Sequence, residues 1–449
     1  MAPPPVRRHR SDSPPKLPAP SLILAGRALL GGRLQPVEIA IGEDGRIASI
    51  GRIRTGAPRR DVGDAVILPA ATDLHVHLRD PGGSPDVENF STGTIAAALG
   101  GTTLVGEMPN TSPPVTDPDR LAEKAARAHG RAAVDVLLHA DPVGATDIGR
   151  LARAAGGFKV YLSPTSGIDR VPRPSELPPL WRRMLAYDLP ISVHAEDPAR
   201  FDPRAIPSDP TGWNEWRPPA AEEAAIAMVA SAPTGLRLHV AHVTTARSVA
   251  RVRELGWSCE VTPHHLLLSD GSGTDARFKV NPPLRSEEER RALWEVYRSG
   301  RVPVVASDHA PHALADKSLP FEQAPSGVPG AETMLPLLLS RARSGELDLG
   351  VLVATACDRP ARWFGQPLGR VAVGHRANLL VVDFRSRTAI SGRHLHSACG
   401  WTPFEGWEAI FPREHYRDGV RIVEEGEYVG QPTGRILRPE YAPGPDRAA

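Results

Sequence analysis

Eight short apolar runs, set apart by helix-length amphipathic stretches, constrain this chain more than any other feature. They are ILPAATDLHVHL, TTLVGEMP, AVDVLLHA, FKVYL, PISVHAE, RLHVAHV, SCEVTPHHLLL and PVVASDHAPH, all between residues 67 and 312. Stretches such as DPDRLAEKAARAHG, AAEEAAIAMVASA and SEEERRALWEVYRSG lie between them. Strands that alternate with helices build a parallel sheet, and eight such units over roughly 250 residues predict a closed (β/α)₈ barrel. AETMLPLLLSRARSGE and LGVLVATACDRPARWFG supply two further helices to close the ring.

At 449 residues the chain exceeds what one compact core usually holds, so a smaller companion is expected beside the barrel. SLILAGRALLGG and VEIAIGEDGRIASIG read as alternating strands of an antiparallel sheet, and GRVAVG, ANLLVVDF and GVRIVEEGEYVG revert to that pattern near the other end. The expected fold class is α/β: a TIM barrel with a small β-sandwich domain built from both chain ends. The expected boundaries are 1–20 for a disordered Pro/Arg-rich tail, 21–66 for the first part of the small domain, 67–366 for the barrel and 367–449 for the rest. The tail has no apolar h-region, so it is not read as a secretory signal.

Lys plus Arg total 53 against 52 Asp plus Glu, which gives no hint of nucleic acid or an anionic membrane. Cys259, Cys357 and Cys399 show no pairing logic and suit a reducing, cytoplasmic setting. A barrel of this class carries its active site at the C-terminal ends of the strands. Strand one ends in Asp73-Leu74-His75-Val76-His77, where a period of two puts both histidines on one face. Lys159, His194, His242 and Asp308 fall at the ends of strands four, five, six and eight. Any one of these could be an ordinary rim or core residue; together they are improbable as coincidence. His139 and His239 are expected to be plain core histidines, His239 because alternation turns it away from His242. A lysine facing two dications makes sense only with its charge changed, as the carbamate formed with CO₂.

The D-x-H-x-H strand, the mid-chain lysine, the two later histidines and the late aspartate resemble the amidohydrolase superfamily. Within it, HVHLRDPG, MPNT, TPHHLLL, NPPLR and SDHAPH resemble the dihydroorotase family, from about Leu68 onward. That resemblance implies zinc-dependent, reversible hydrolysis of dihydroorotate to N-carbamoyl-aspartate in pyrimidine biosynthesis. It implies two Zn²⁺ ions, one on His75 and His77, the other on His194 and His242. Carboxylated Lys159 and a hydroxide would bridge them, with Asp308 completing the first site and shuttling the proton. PTSGIDRVP after Lys159 resembles allantoinases instead, so allantoinase and hydantoinase are the nearest rivals.

A dihydroorotate hydrolase needs a cation for the ring carboxylate, and Arg79, two residues past His77, offers a planar fork. Asn110, Asn281 and His312 are the other expected substrate contacts. The segment 313–330 reads as a mobile loop over the mouth. A rival of another class is a barrel that only binds a partner such as aspartate transcarbamoylase, against which every metal position is filled. Self-association and association with aspartate transcarbamoylase are both left open.

Overall fold

The computed structural model describes residues 20–83, 87–168, 170–205 and 207–441. The tail expected over 1–20 lies outside them apart from Pro20. The first strands are β1 (Pro20–Leu30), β2 (Arg33–Gly42), β3 (Ile47–Ile50) and β4 (Arg59–Pro69). The barrel strands follow: β5 (Ala71–Val76), β6 (Thr102–Glu107), β7 (Asp135–Ala140), β8 (Gly157–Tyr161), β9 (Pro190–His194), β10 (Arg237–Val240), β11 (Ser258–Val261) and β12 (Val304–Val305). These eight pair in parallel in chain order, and a Val76–His309 bridge brings the last back to the first. Strands β5 to β9 are buried along their whole length, as parallel strands covered on both faces must be. That is why apolar residues such as Leu104 and Val105, or Val136 and Leu137, fall on both faces of these strands.

The helices start where the sequence supplies caps. Asn89 accepts from the backbone N–H groups of Ser91 and Thr92 to begin the helix Phe90–Leu99. Asp117 does the same for Pro118–Ala128, whose first residue is a proline. Their apolar faces pack on the strands in one large core that includes Phe90, Phe158, Trp181 and Tyr297.

The later strands are β13 (Leu379–Val382), β14 (Thr388–Ala389), β15 (Glu408–Ala409), β16 (Glu414–Arg417), β17 (Val420–Glu424), β18 (Glu427–Tyr428) and β19 (Ile436–Leu437). A second sheet runs in the order β18-β17-β16-β13-β4-β1-β2-β3, so the two ends of the chain meet where β4 pairs with β13. It is not wholly antiparallel as the sequence suggested, because β1 and β4 run parallel. GRVAVG forms no strand, and ILPAATDLHVHL, read as one strand, divides at Ala70 between β4 and β5. β19 pairs with the first residues of β7, at the barrel end opposite the strand C-termini. There the buried Asp135 carboxylate receives Arg376, Arg417 and Arg435 at 2.7–3.1 Å, joining both sheets. Among the described residues no helix is long and apolar enough to cross a membrane.

A histidine-rich site at the barrel mouth

His75 and His77 leave β5 on the same face, as the period of two requires. Their Nε2 atoms lie 3.3 and 3.2 Å from one Asp308 oxygen, so the three residues can offer ligand atoms to a single ion. The opposite nitrogens are fixed from behind. His75 Nδ1 is 2.5 Å from Glu260 Oε1, and His77 Nδ1 donates to Asn110 Oδ1 at 2.6 Å. Such partners set the tautomer and aim of a liganding imidazole.

Across the mouth, His194 Nδ1 and His242 Nε2 face each other at 3.0 Å. His194 Nε2 is held by Glu196 at 2.9 Å, and Glu196 is clasped by the buried Arg217. Lys159 Nζ stands 3.3 Å from His75 Nε2 and 3.4 Å from Ser192 Oγ. Burial pushes its amine down to about 8, against the pull of Glu260 and Asp308. Burial also lowers all four histidines, His75 to about 4, so they are neutral near pH 7. A neutral imidazole with its lone pair aimed at a common point is what a cation requires. The donor set therefore fits a divalent metal.

Three residues of the site hold left-handed backbone: Arg79 (φ 58°), His242 (φ 38°) and Asp308 (φ 44°). L side chains resist that region, and strain of this kind persists where the surroundings impose it. Asp73 helps to do so. One of its oxygens accepts from His75 N and Ser307 N, at 3.1 and 3.0 Å, tying the first strand to the eighth.

Beside these groups is a cavity with about 380 Å³ of empty space, open solvent at its mouth included. Arg79, Asn110, Asn281, Tyr161, Ser166 and Ser326 are among the residues that line it. Arg79 Nε donates to Pro311 O at 3.2 Å, and no described carboxylate pairs with this guanidinium. Both ends of the Asn110 amide are engaged, since its Nδ2 donates to Ser166 O at 2.9 Å. Asn281 Oδ1 accepts from Trp213 Nε1 at 3.2 Å. His312 stands one step back: its Nε2 donates to Ser326 O at 2.9 Å, 3.3 Å from Arg79 Nη2.

Every residue expected from the sequence as a metal ligand is gathered here, and His139 is not. His239 is not a direct partner either, yet it does not simply turn away. Its Nε2 reaches the second oxygen of Glu260, 2.9 Å away. Sequence reasoning missed Glu260, Glu196 and Arg217. A signal was available for the first two, because an acidic residue in an apolar parallel strand, or two residues past its end, is costly when buried unless partnered.

Residues 64–147 match the family model for dihydro-orotase-like proteins. The chain is 38% identical to a dihydroorotase of Halobacterium salinarum over 93% of this chain and 99% of that protein. It is 36% identical to a dihydroorotase of Bacillus caldolyticus, over 82% and 89%. Among solved structures, the L-hydantoinase (dihydropyrimidinase) of Arthrobacter aurescens superimposes with a TM-score of 0.86 at 27% identity, covering 93% of this chain and 99% of that one.

Proposed function

We propose, from the premise that the chain belongs to the dihydroorotase family, that it opens and closes the ring of dihydroorotate, with N-carbamoyl-aspartate as the open form. It is a cyclic amidohydrolase, and it needs a metal. His75, His77 and Asp308 would hold one zinc ion and His194 and His242 a second, with Lys159 as an N-carboxylated bridge. Lys159 supports that bridge by its burial and lowered basicity, because an uncharged amine is the form that adds CO₂. When bound, the ions supply Lewis acidity toward the amide carbonyl and acidify the attacking water.

The remaining chemistry belongs to this chain's own side chains. Glu260, Asn110 and Glu196 hold three of the imidazoles so that their free nitrogens converge. Asp308, between His75 and His77 and facing the cavity, takes the proton from the attacking water. It then delivers that proton to the ring nitrogen as the carbon–nitrogen bond breaks. Reversal of the same steps closes the ring.

The observation that carries the substrate is Arg79, a cavity-lining guanidinium with no described carboxylate of its own. It matches the ring carboxylate of dihydroorotate in charge and in planar geometry. The overall likeness to hydantoinases favours hydantoin-type rings as the second reading, and those rings lack that carboxylate. Purified enzyme assayed side by side on dihydroorotate, allantoin and hydantoin decides. Turnover of hydantoin or allantoin without dihydroorotate would overturn the proposal. Elemental analysis of the same preparation tests for zinc and for two ions per chain.

A further inference from the structure

The sequence holds only five lysines, at 16, 124, 159, 279 and 317, among its 53 basic Lys and Arg residues. The four within the described residues are all buried, none more than 3% exposed. Among the described residues no lysine is exposed, so Lys124, Lys159, Lys279 and Lys317 each hold an ammonium in the interior. Lys159 belongs to the metal site, and Lys124 pairs with Glu107 at 2.8 Å. Lys279 and Lys317 differ, because neither forms an ion pair with a described carboxylate.

Carbonyl oxygens surround both ammonium groups instead. Lys279 Nζ donates to Phe321 O, Glu322 O and Ala324 O at 2.6, 3.2 and 2.8 Å. Lys317 Nζ donates to Pro325 O, Gly327 O and Lys279 O at 2.9, 3.0 and 3.3 Å. Five of these six acceptors lie in the segment 321–327. A tetrahedral ammonium can fan three N–H bonds toward carbonyls that converge on one point, whereas a planar guanidinium cannot. The ammonium groups also lie 4.3 Å from the Trp213 ring centre and 5.6 Å from that of Trp401.

The gathered segment reaches the substrate cavity. Ser326 and Gly327 line it, and Ser326 O is the acceptor that holds His312 beside Arg79. Gly327, at φ 137°, lies so near Ala310 that a Cβ there would meet Ala310 O at 2.5 Å. We infer that Lys279 and Lys317 are positioning residues that fasten segment 321–327 as one wall of the substrate cavity, in register with Arg79. The inference takes its assay substrate from the proposed function, but its chemical readout needs no substrate.

That readout uses the scarcity of lysine. Native, metal-loaded enzyme is pulsed with an N-hydroxysuccinimide acetate ester, and each lysine-bearing peptide is quantified by mass spectrometry. Lys279 and Lys317 are expected to react at least tenfold more slowly than in urea-unfolded chain. In Lys317→Met, Lys279 should become reactive, and KM for dihydroorotate should rise at least fivefold while kcat and metal content stay within twofold. Lys317→Arg should not restore KM, although it restores the charge. Gly327→Ala crowds the segment off its seat against Ala310 and leaves both lysine side chains chemically intact. It should therefore unmask both lysines and raise KM, which keeps the test decisive if the lysine variants fail to fold. Unchanged KM in Lys317→Met, full rescue by arginine, or lysines that stay protected in Gly327→Ala would each overturn the inference. Absence of dihydroorotate turnover in wild-type enzyme with the labelling pattern intact would instead count against the substrate.

Discussion

His77 and Asn110 meet at 2.6 Å between Nδ1 and Oδ1, which commits the imidazole to present its Nε2 toward Asp308. Asn110 was expected from the sequence to bind substrate; it lines the cavity, and its amide also spans His77 and Ser166. Asn110→Ala should therefore weaken metal binding about 10–100-fold, the usual cost of losing a partner behind a liganding histidine. Competition against a chromophoric chelator measures it. Wild-type metal affinity with a raised KM would mean that Asn110 acts on the substrate alone.

Lys159→Ala should be inactive and should regain part of its activity when short carboxylic acids are added, since these can stand in for a carbamate. Titrating acetate and propionate into the variant gives the rescue curve. Full activity of the variant without added acid would remove the bridge.

Arg79→Met should keep its metal yet lose kcat/KM on dihydroorotate roughly tenfold to a hundredfold, as expected for about 1.5–3 kcal/mol of charge-assisted contact. Arg79→Lys should also be impaired, because an ammonium cannot reproduce the fork. Any turnover of an uncharged ring should fall little. Equal losses on charged and uncharged rings would mean that Arg79 shapes the mouth and does not read the carboxylate.

Asp141, directly after β7 and 4% exposed, has its carboxyl pushed up to about 7 by burial, against a hydrogen bond from Val143 N and the attraction of Arg170. A raised folded value means that the folded chain binds more protons than the unfolded one between about pH 4 and 7, so stability falls as pH rises through that window. Asp141→Asn escapes this penalty. It should match wild type near pH 4 and be more stable at pH 8, by at most about 4 kcal/mol at 1.36 kcal/mol per pH unit. Urea unfolding at the two pH values checks the sign, and an equal difference at both would exclude the carboxyl as its source.

The eight barrel strands and the main donors were legible because both are local. A strand-end D-x-H-x-H fixes two imidazoles by alternation alone, whatever the rest of the chain does. What stayed hidden depends on contacts between distant segments. Glu260 supports His75 from 185 positions away, and no spacing rule reports that pairing. His239 is a buried, partnered histidine as expected, but its contact with Glu260, 21 positions away, is again a pairing between separate strands. The break at Ala70 was invisible because β4 ends and β5 begins in apolar residues, so two strands of different sheets read as one run.

The pairing of β4 with β13 has a consequence for how the protein is made. Leu68 and Pro69 leave the ribosome some 310 residues before their partners Leu380 and Leu379 exist. At translation rates of about 5–20 residues per second that interval lasts roughly 15–60 s. Throughout it the nascent chain displays AVILP as an unpaired sheet edge, the kind of surface that recruits other chains. Crowded polysomes and missing chaperones should then penalise this protein's yield more than its folded stability would suggest.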